Sequence, residues 1–125
     1  MDINEISGRI VNAAMTVHSA PGPGLLESAY EGCLVHELKR RDIQVASQVI
    51  LPVVYDGIKI DVGYRIDLMV ANAVIVEIKA VDKLAPIHEA QLLTYLKLSG
   101  MKLGLLLNFN VVHMKDGIKR MVNKL

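Results

Sequence analysis

The spacing of apolar residues changes period along this chain, and that change decides the fold class. Near the N-terminus they recur at helical spacing: Ile3, Ile6, Ile10, Ala13, Ala14 and Val17, then Leu26, Ala29, Tyr30, Cys33, Leu34 and Leu38. From Gln44 onward they alternate, with Val45, Val49, Leu51 and Val53 in the rhythm of a half-buried strand. A chain carrying both periods within 125 residues packs helices against a sheet around one core. The expectation is a single domain spanning residues 1–125.

Asp2 and Glu5 are spaced as a variant capping box, which predicts a first helix to about His18. Ala20-Pro21-Gly22-Pro23-Gly24 stops it, because proline lacks an amide donor and glycine adopts backbone angles that a helix does not use. A second helix follows at once, with Lys39, Arg40 and Arg41 complementing the negative end of its dipole. Pro52 marks an edge strand, and Asp56-Gly57 is a strong hairpin signal. Further strands are expected over Ile58 to Ile60, Tyr64 to Val70 and Val74 to Val81, with a short turn at Asn72. Ile87 to Leu98 reads as a helix closed by Gly100, and Leu103 to Leu107 as a mid-sheet strand covered on both faces. The tail carries a turn at Lys115-Asp116-Gly117 and a short strand or helix through Arg120 and Val122. This order implies an α/β (α+β) domain with a mixed central sheet flanked by helices.

Fourteen Lys and Arg against thirteen Asp and Glu leave a net charge of +1, too small for nucleic-acid binding by long-range attraction alone. Phosphate recognition must then be local. With no Trp, one Phe and four Tyr, base-stacking platforms are not expected. Cys33 is the sole cysteine, which excludes an internal disulfide and a cysteine zinc cluster and fits a reducing compartment. No apolar run is long enough to span a bilayer, and MDINEIS lacks the pattern of a secretory leader, so a cytoplasmic protein without membrane contact is expected.

Chemistry concentrates in Tyr64 to Val70 and Val74 to Lys79. Alternation puts Glu77 and Lys79 on one face of a strand, with Val76, Ile78 and Ala80 on the other. Asp67 lies one strand away. Charges inside a buried strand are costly unless paired or bound to metal. A structural ion pair, Glu77 or Asp67 with Lys79, is the simplest reading of such an isolated pattern. Three further residues weaken it: Glu27 at the mouth of the Gly-Pro-Gly turn, and Gln91 with Tyr95, four apart on one helical face. Tyr95 fits a half-buried core position equally well. His18, His36, His88 and His113 lack zinc-ligand spacing, with His88 the nearest to Gln91, and Cys33 fits a small core residue.

Together these residues resemble the GxxExxY protein family, a RecB-like branch of the PD-(D/E)XK nuclease superfamily. The likeness runs from Gly22-Pro23-Gly24 and Glu27 through Asp67, Glu77-Ile78-Lys79 and Gln91-Leu92-Leu93-Thr94-Tyr95 to Asn108-Phe109 and Asp116-Gly117-Ile118. It departs at Met69-Val70-Ala71-Asn72, which lacks an expected acidic residue, and at Asn110, where the family tends to have glycine. The resemblance implies a restriction-endonuclease-like core and a metal-dependent nuclease acting on DNA. Asp67, Glu77 and Lys79 match the superfamily's triad, and Glu27 matches the helical glutamate. Glu27, Asp67 and Glu77, with the carbonyl of Ile78, would hold Mg²⁺ or Mn²⁺, hard cations suited to oxygen ligands. Lys79 would orient or deprotonate water, and Gln91 and Tyr95 would position Lys79 or a DNA phosphate. The alternative is a non-catalytic or partner-dependent module of the same fold. A domain this small has little surface left to grip a duplex, so a homodimer, through an edge strand or the face of Ile3, Ile6 and Ile10, or a larger complex is expected.

Overall fold

Asp2 caps the first helix as its spacing predicts, its Oδ1 accepting the Glu5 amide at 2.8 Å. The helix, α1, spans Ile3–Ser19 in the computed structural model, which describes residues 1–60 and 63–125. Helix α2 follows over Glu27–Arg40, then strands β1 (Val45–Tyr55), β2 (Ile58–Val70) and β3 (Val74–Lys79), helix α3 (Pro86–Ser99), strand β4 (Leu103–Asn108), a 3₁₀ turn at Met114–Gly117 and strand β5 (Ile118–Val122). The five strands lie side by side in chain order, β1-β2-β3-β4-β5. Only β3 and β4 are parallel, joined by α3, while the other neighbours are antiparallel. This is the mixed α+β sheet with flanking helices that the order of periods implied, consistent with a restriction-endonuclease-like fold.

The sheet separates two apolar layers. Ile6, Ile10, Ala13 and Val17 of α1 and Tyr30, Leu34 and Leu38 of α2 cover one face, meeting Val74, Val76, Ile78, Leu103, Leu105 and Leu107. Leu92, Tyr95 and Leu96 of α3 cover the other, against Leu51, Ile66, Ile75 and Leu106. β4 is buried along its whole length, as its uninterrupted apolar run required. Gly104 admits α3 closely, since a Cβ there would sit 2.9 Å from Leu92 Cδ1.

Several expectations need correction. Two strands were expected over Ile58 to Ile60 and Tyr64 to Val70, but β2 is one strand of 13 residues whose long pairing with β1 carries it through. β3 ends at Lys79 rather than Val81, because Glu27 and Asn108 take the amides of Ala80 and Val81. Leu26, Ala29 and Cys33 are exposed, so the buried stripe of α2 is narrower than its spacing suggested. Ile6 and Ile10 are buried within the domain's own core and Ile3 packs against it, which leaves no free apolar face on α1 for a dimer contact. Arg41 does more than face a helix dipole: its guanidinium binds Glu37 of α2 at 2.7 Å and Asn12 and Thr16 of α1 at 2.7 and 2.9 Å. The turn expected at Lys115-Asp116-Gly117 is the 3₁₀ segment.

Candidate active site

The turn before α2 is built to deliver Glu27. Gly22 and Gly24 have φ of +70° and +108°, angles that glycine adopts without strain. The buried Tyr30 hydroxyl donates to the Gly22 carbonyl and accepts the Leu25 amide. Its ring stacks on Phe109 at 4.6 Å between centroids. Tyr30 thus ties the turn to the core one helical turn beyond Glu27, and the Glu27 Oε2 accepts the Ala80 amide at 3.3 Å, next to Lys79.

The second part of the site is a break in the sheet. Pairing between β2 and β3 runs from Val70↔Val74 only to Leu68↔Val76. Beyond that the two carboxylates replace carbonyl partners: the Asp67 amide donates to Glu77 Oε2 and the Ile78 amide to Asp67 Oδ2, each at 2.8 Å. β1 breaks at the same level, where Gln48 has φ of +53° and the pairing passes from Ser47↔Leu68 to Val49↔Ile66. Across this level the layers exchange. Val45, Leu68 and Val70 pack under α1 and α2, whereas Val49 and Ile66 pack under α3.

Glu77 is only 4% exposed. Burial pushes its carboxyl up from 4.5 to about 7, and the charge of Asp67 adds to this, against the opposing pull of the Asp67 amide and of Lys79. Among the described residues no carboxylate lies within ion-pair distance of Lys79, so the simple structural ion pair is not formed. Glu77 and Lys79 do leave β3 on the face opposite Val76, Ile78 and Ala80, which join the α1/α2 layer. The structure therefore brings Asp67, Glu77 and the Ile78 backbone into direct contact and sets Glu27 and Lys79 at the end of the same strand.

Tyr95 is buried, and burial followed by the charges of Glu77 and Asp67 raises its phenol above the ordinary value, which puts it within electrostatic reach of the pair. Gln91 is exposed and lines a cavity beside Tyr95. His88 has a structural task, its Nδ1 accepting the Ala85 amide at 3.0 Å at the start of α3. His18 is buried, with Nε2 2.8 Å from the Val111 carbonyl.

Three residues at the site were not anticipated. Glu31 joins the carboxylates from α2, bonded through its oxygens to Gln48 Nε2 at 2.9 and 3.1 Å, and Gln48 reaches on to Asp67 Oδ1 at 3.5 Å. Burial raises the Glu31 carboxyl too, partly offset by Gln48 and reinforced by Asp67. The signal for Glu31 was its place four residues after Glu27, on one helical face. Asn108, buried, clamps the segment after Lys79 by exchanging two hydrogen bonds with the Val81 backbone, at 3.1 and 2.9 Å.

The donor set suits a hard divalent cation. Glu77 spends one oxygen on a backbone amide and keeps the other, Asp67 gives Oδ2 to an amide and meets Gln48 Nε2 at 3.5 Å through Oδ1, and burial of Glu77 beside the charge of Asp67 disfavours its ionisation without a cation. Among the described residues no three acidic, His or Cys side chains close into a cage. A Mg²⁺-type ion asks for less, holding one or two carboxylates and keeping waters and phosphate oxygens.

A family model described as the PD-(D/E)XK nuclease superfamily matches residues 4–121. Comparison with curated proteins gives no match. Comparison with solved structures gives none either.

Proposed function

Since the chain belongs to the PD-(D/E)XK nuclease superfamily, we propose that it is a metal-dependent nuclease hydrolysing DNA phosphodiester bonds. The observation that carries this reading is the bonded Asp67–Glu77 pair at a break in the sheet, with Lys79 on the same strand face and free of a carboxylate partner among the described residues. The Gly24-Glu27-Tyr30 arrangement supports the finer assignment to the GxxExxY family and its RecB-like branch, since Tyr30 physically seats the turn from which Glu27 projects.

In this reading Asp67 and Glu77, with the Ile78 carbonyl, would hold Mg²⁺ or Mn²⁺; among the described residues Glu27, expected as a third carboxylate ligand, closes no cage with them and instead accepts the Ala80 amide at the end of β3. When bound, such an ion supplies positive charge against the phosphate and acidifies water. Lys79 orients the attacking water or accepts its proton and meets charge developing on the phosphate oxygens. Gln48 and Glu31 hold Asp67 from the side of α2, and Asn108 fixes the backbone after Lys79. Tyr95 closes the site from α3.

Purified protein incubated with single-stranded, duplex and branched DNA, with Mg²⁺, with Mn²⁺ or with chelator, tests this directly. Metal-dependent cleavage lost in Asp67→Asn and Lys79→Ala is expected, by about a hundredfold or more. Absence of cleavage on all three substrates would overturn the reading.

A further inference from the structure

Next to the carboxylates, on the α3 side of the sheet, lies a cavity of about 440 Å³. Val53 and Tyr64 form one wall, and Ile87, Gln91, Thr94 and Tyr95 of α3 form the other. The rings of Tyr64 and Tyr95 face each other obliquely, 6.2 Å apart at 55°. Ala90 and Leu98 complete the lining, so no ionised side chain contributes to it. A phosphate finds no cation there, only the neutral donors of Gln91, Thr94 and the two tyrosines. A flat, apolar group with a hydrogen-bonding edge fits better, because the Gln91 amide offers donor and acceptor together and the Thr94 hydroxyl either one.

The fold places this cavity beside the acidic site. Tyr64 is three residues before Asp67 on β2, and Tyr95 shares the α3 layer with Ile66 and Ile75. Ile75 is two residues before Glu77 on the same face of β3. We propose that the cavity lined by Tyr64 and Tyr95 receives one unstacked base of a single-stranded nucleic acid whose adjoining phosphate lies at Asp67 and Glu77. This inference rests on the nuclease reading and deepens it. It names the substrate as a single strand or a frayed end, since a base inside a duplex stays stacked and out of reach.

Two physical considerations favour it. A chain with net charge +1 gains little from the phosphate backbone, so affinity must come from elsewhere, and base–aromatic stacking is sequence-tolerant. The count of aromatics argued against a stacking platform, but the fold gathers two of the four tyrosines at this one cavity. Tyr64 is 44% exposed, so the cavity it lines is reached from solvent on its side.

The test uses the full chain in chelator, so that binding is read without cleavage. The probes are a short fluorescein-labelled oligothymidine, the same strand with one abasic position, and a blunt duplex of equal length, followed by anisotropy. Single-strand binding about tenfold tighter than duplex binding is expected, with a similar loss in Tyr64→Ala and no change for duplex. Ala90→Leu, which fills the cavity from the exposed side of α3, serves as an independent variant and should weaken the single strand alike. Equal affinity for strand and duplex, or variants that keep their circular dichroism and bind undiminished, would overturn the proposal. Tyr64-dependent single-strand binding by a protein that cuts nothing upholds the pocket and removes the nuclease. Metal-dependent cleavage indifferent to Tyr64, Ala90 and the abasic position does the reverse.

Discussion

Glu77 holds a proton in the metal-free protein at pH values where a free glutamate would have lost it. Its carboxyl is raised from 4.5 to about 7, so between these values the folded state binds more protons than the unfolded one, and stability falls as pH rises through the window. The full contribution is present below the lower value and gone above the upper, a span of roughly 3 kcal/mol. Melting temperature in chelator should therefore drop from the acidic end of the window to the neutral end, and Glu77→Gln should flatten that slope. A parent profile that rises with pH would contradict the assignment. Asp67→Asn tests the second cause: it keeps an acceptor for the Ile78 amide while removing the neighbouring charge, so the Glu77 titration followed by carboxyl-carbon NMR should move toward 4.5 without loss of fold. Much of this was legible in the sequence. The common face of Glu77 and Lys79 follows from the period of one strand, which is local. The Glu31–Gln48–Asp67 chain was not, because it depends on the positive φ of Gln48, where a strand-forming pattern shows nothing unusual.

At the scale of elements, turns and caps were the most readable parts, since each is decided by a few adjacent residues. Asp56 and Gly57 take φ of +53° and +74°, the hairpin geometry that their pairing signals. The turn between β2 and β3 uses the same hand with Ala71 at φ +52°, where a Cβ is unfavourable. Ala71→Gly should thus stabilise by about 1 kcal/mol, a rise of about 4 °C in calorimetric melting temperature. Gly117 is constrained for a different reason: a Cβ there would lie 2.0 Å from the Asn108 carbonyl oxygen. Gly117→Ala should cost roughly 1–3 kcal/mol and, by displacing Asn108, reduce cleavage as well, which paired melting and activity assays would register. The buried stripe of α2 was overread for a physical reason. Helical spacing marks which residues share a face, and the width of the face actually covered depends on how α1 and the sheet meet it. Cys33 falls outside that width.

For the molecule as a whole, β1 is an edge strand, and its hairpin with β2 exposes Ile50, Val54, Tyr55 and Ile58. Exposed apolar side chains along an unpaired edge invite association. Sedimentation at micromolar concentration should show a dimer, and Val54→Lys combined with Ile58→Lys should return the 13.7 kDa monomer. A parent that sediments as a monomer would exclude this contact. The chain-ordered sheet has a kinetic corollary. Asp67 and Glu77 meet across 10 residues of chain, whereas Glu27 reaches Ala80 across 53 and His18 reaches Val111 across 93. Loop closure favours the short connection first. During refolding the acidic pair should assemble within its hairpin before the N-terminal helices dock, so the strand signal in circular dichroism will run ahead of the stacking of Tyr30 on Phe109, and Glu27, which travels farthest, is the last carboxylate to arrive.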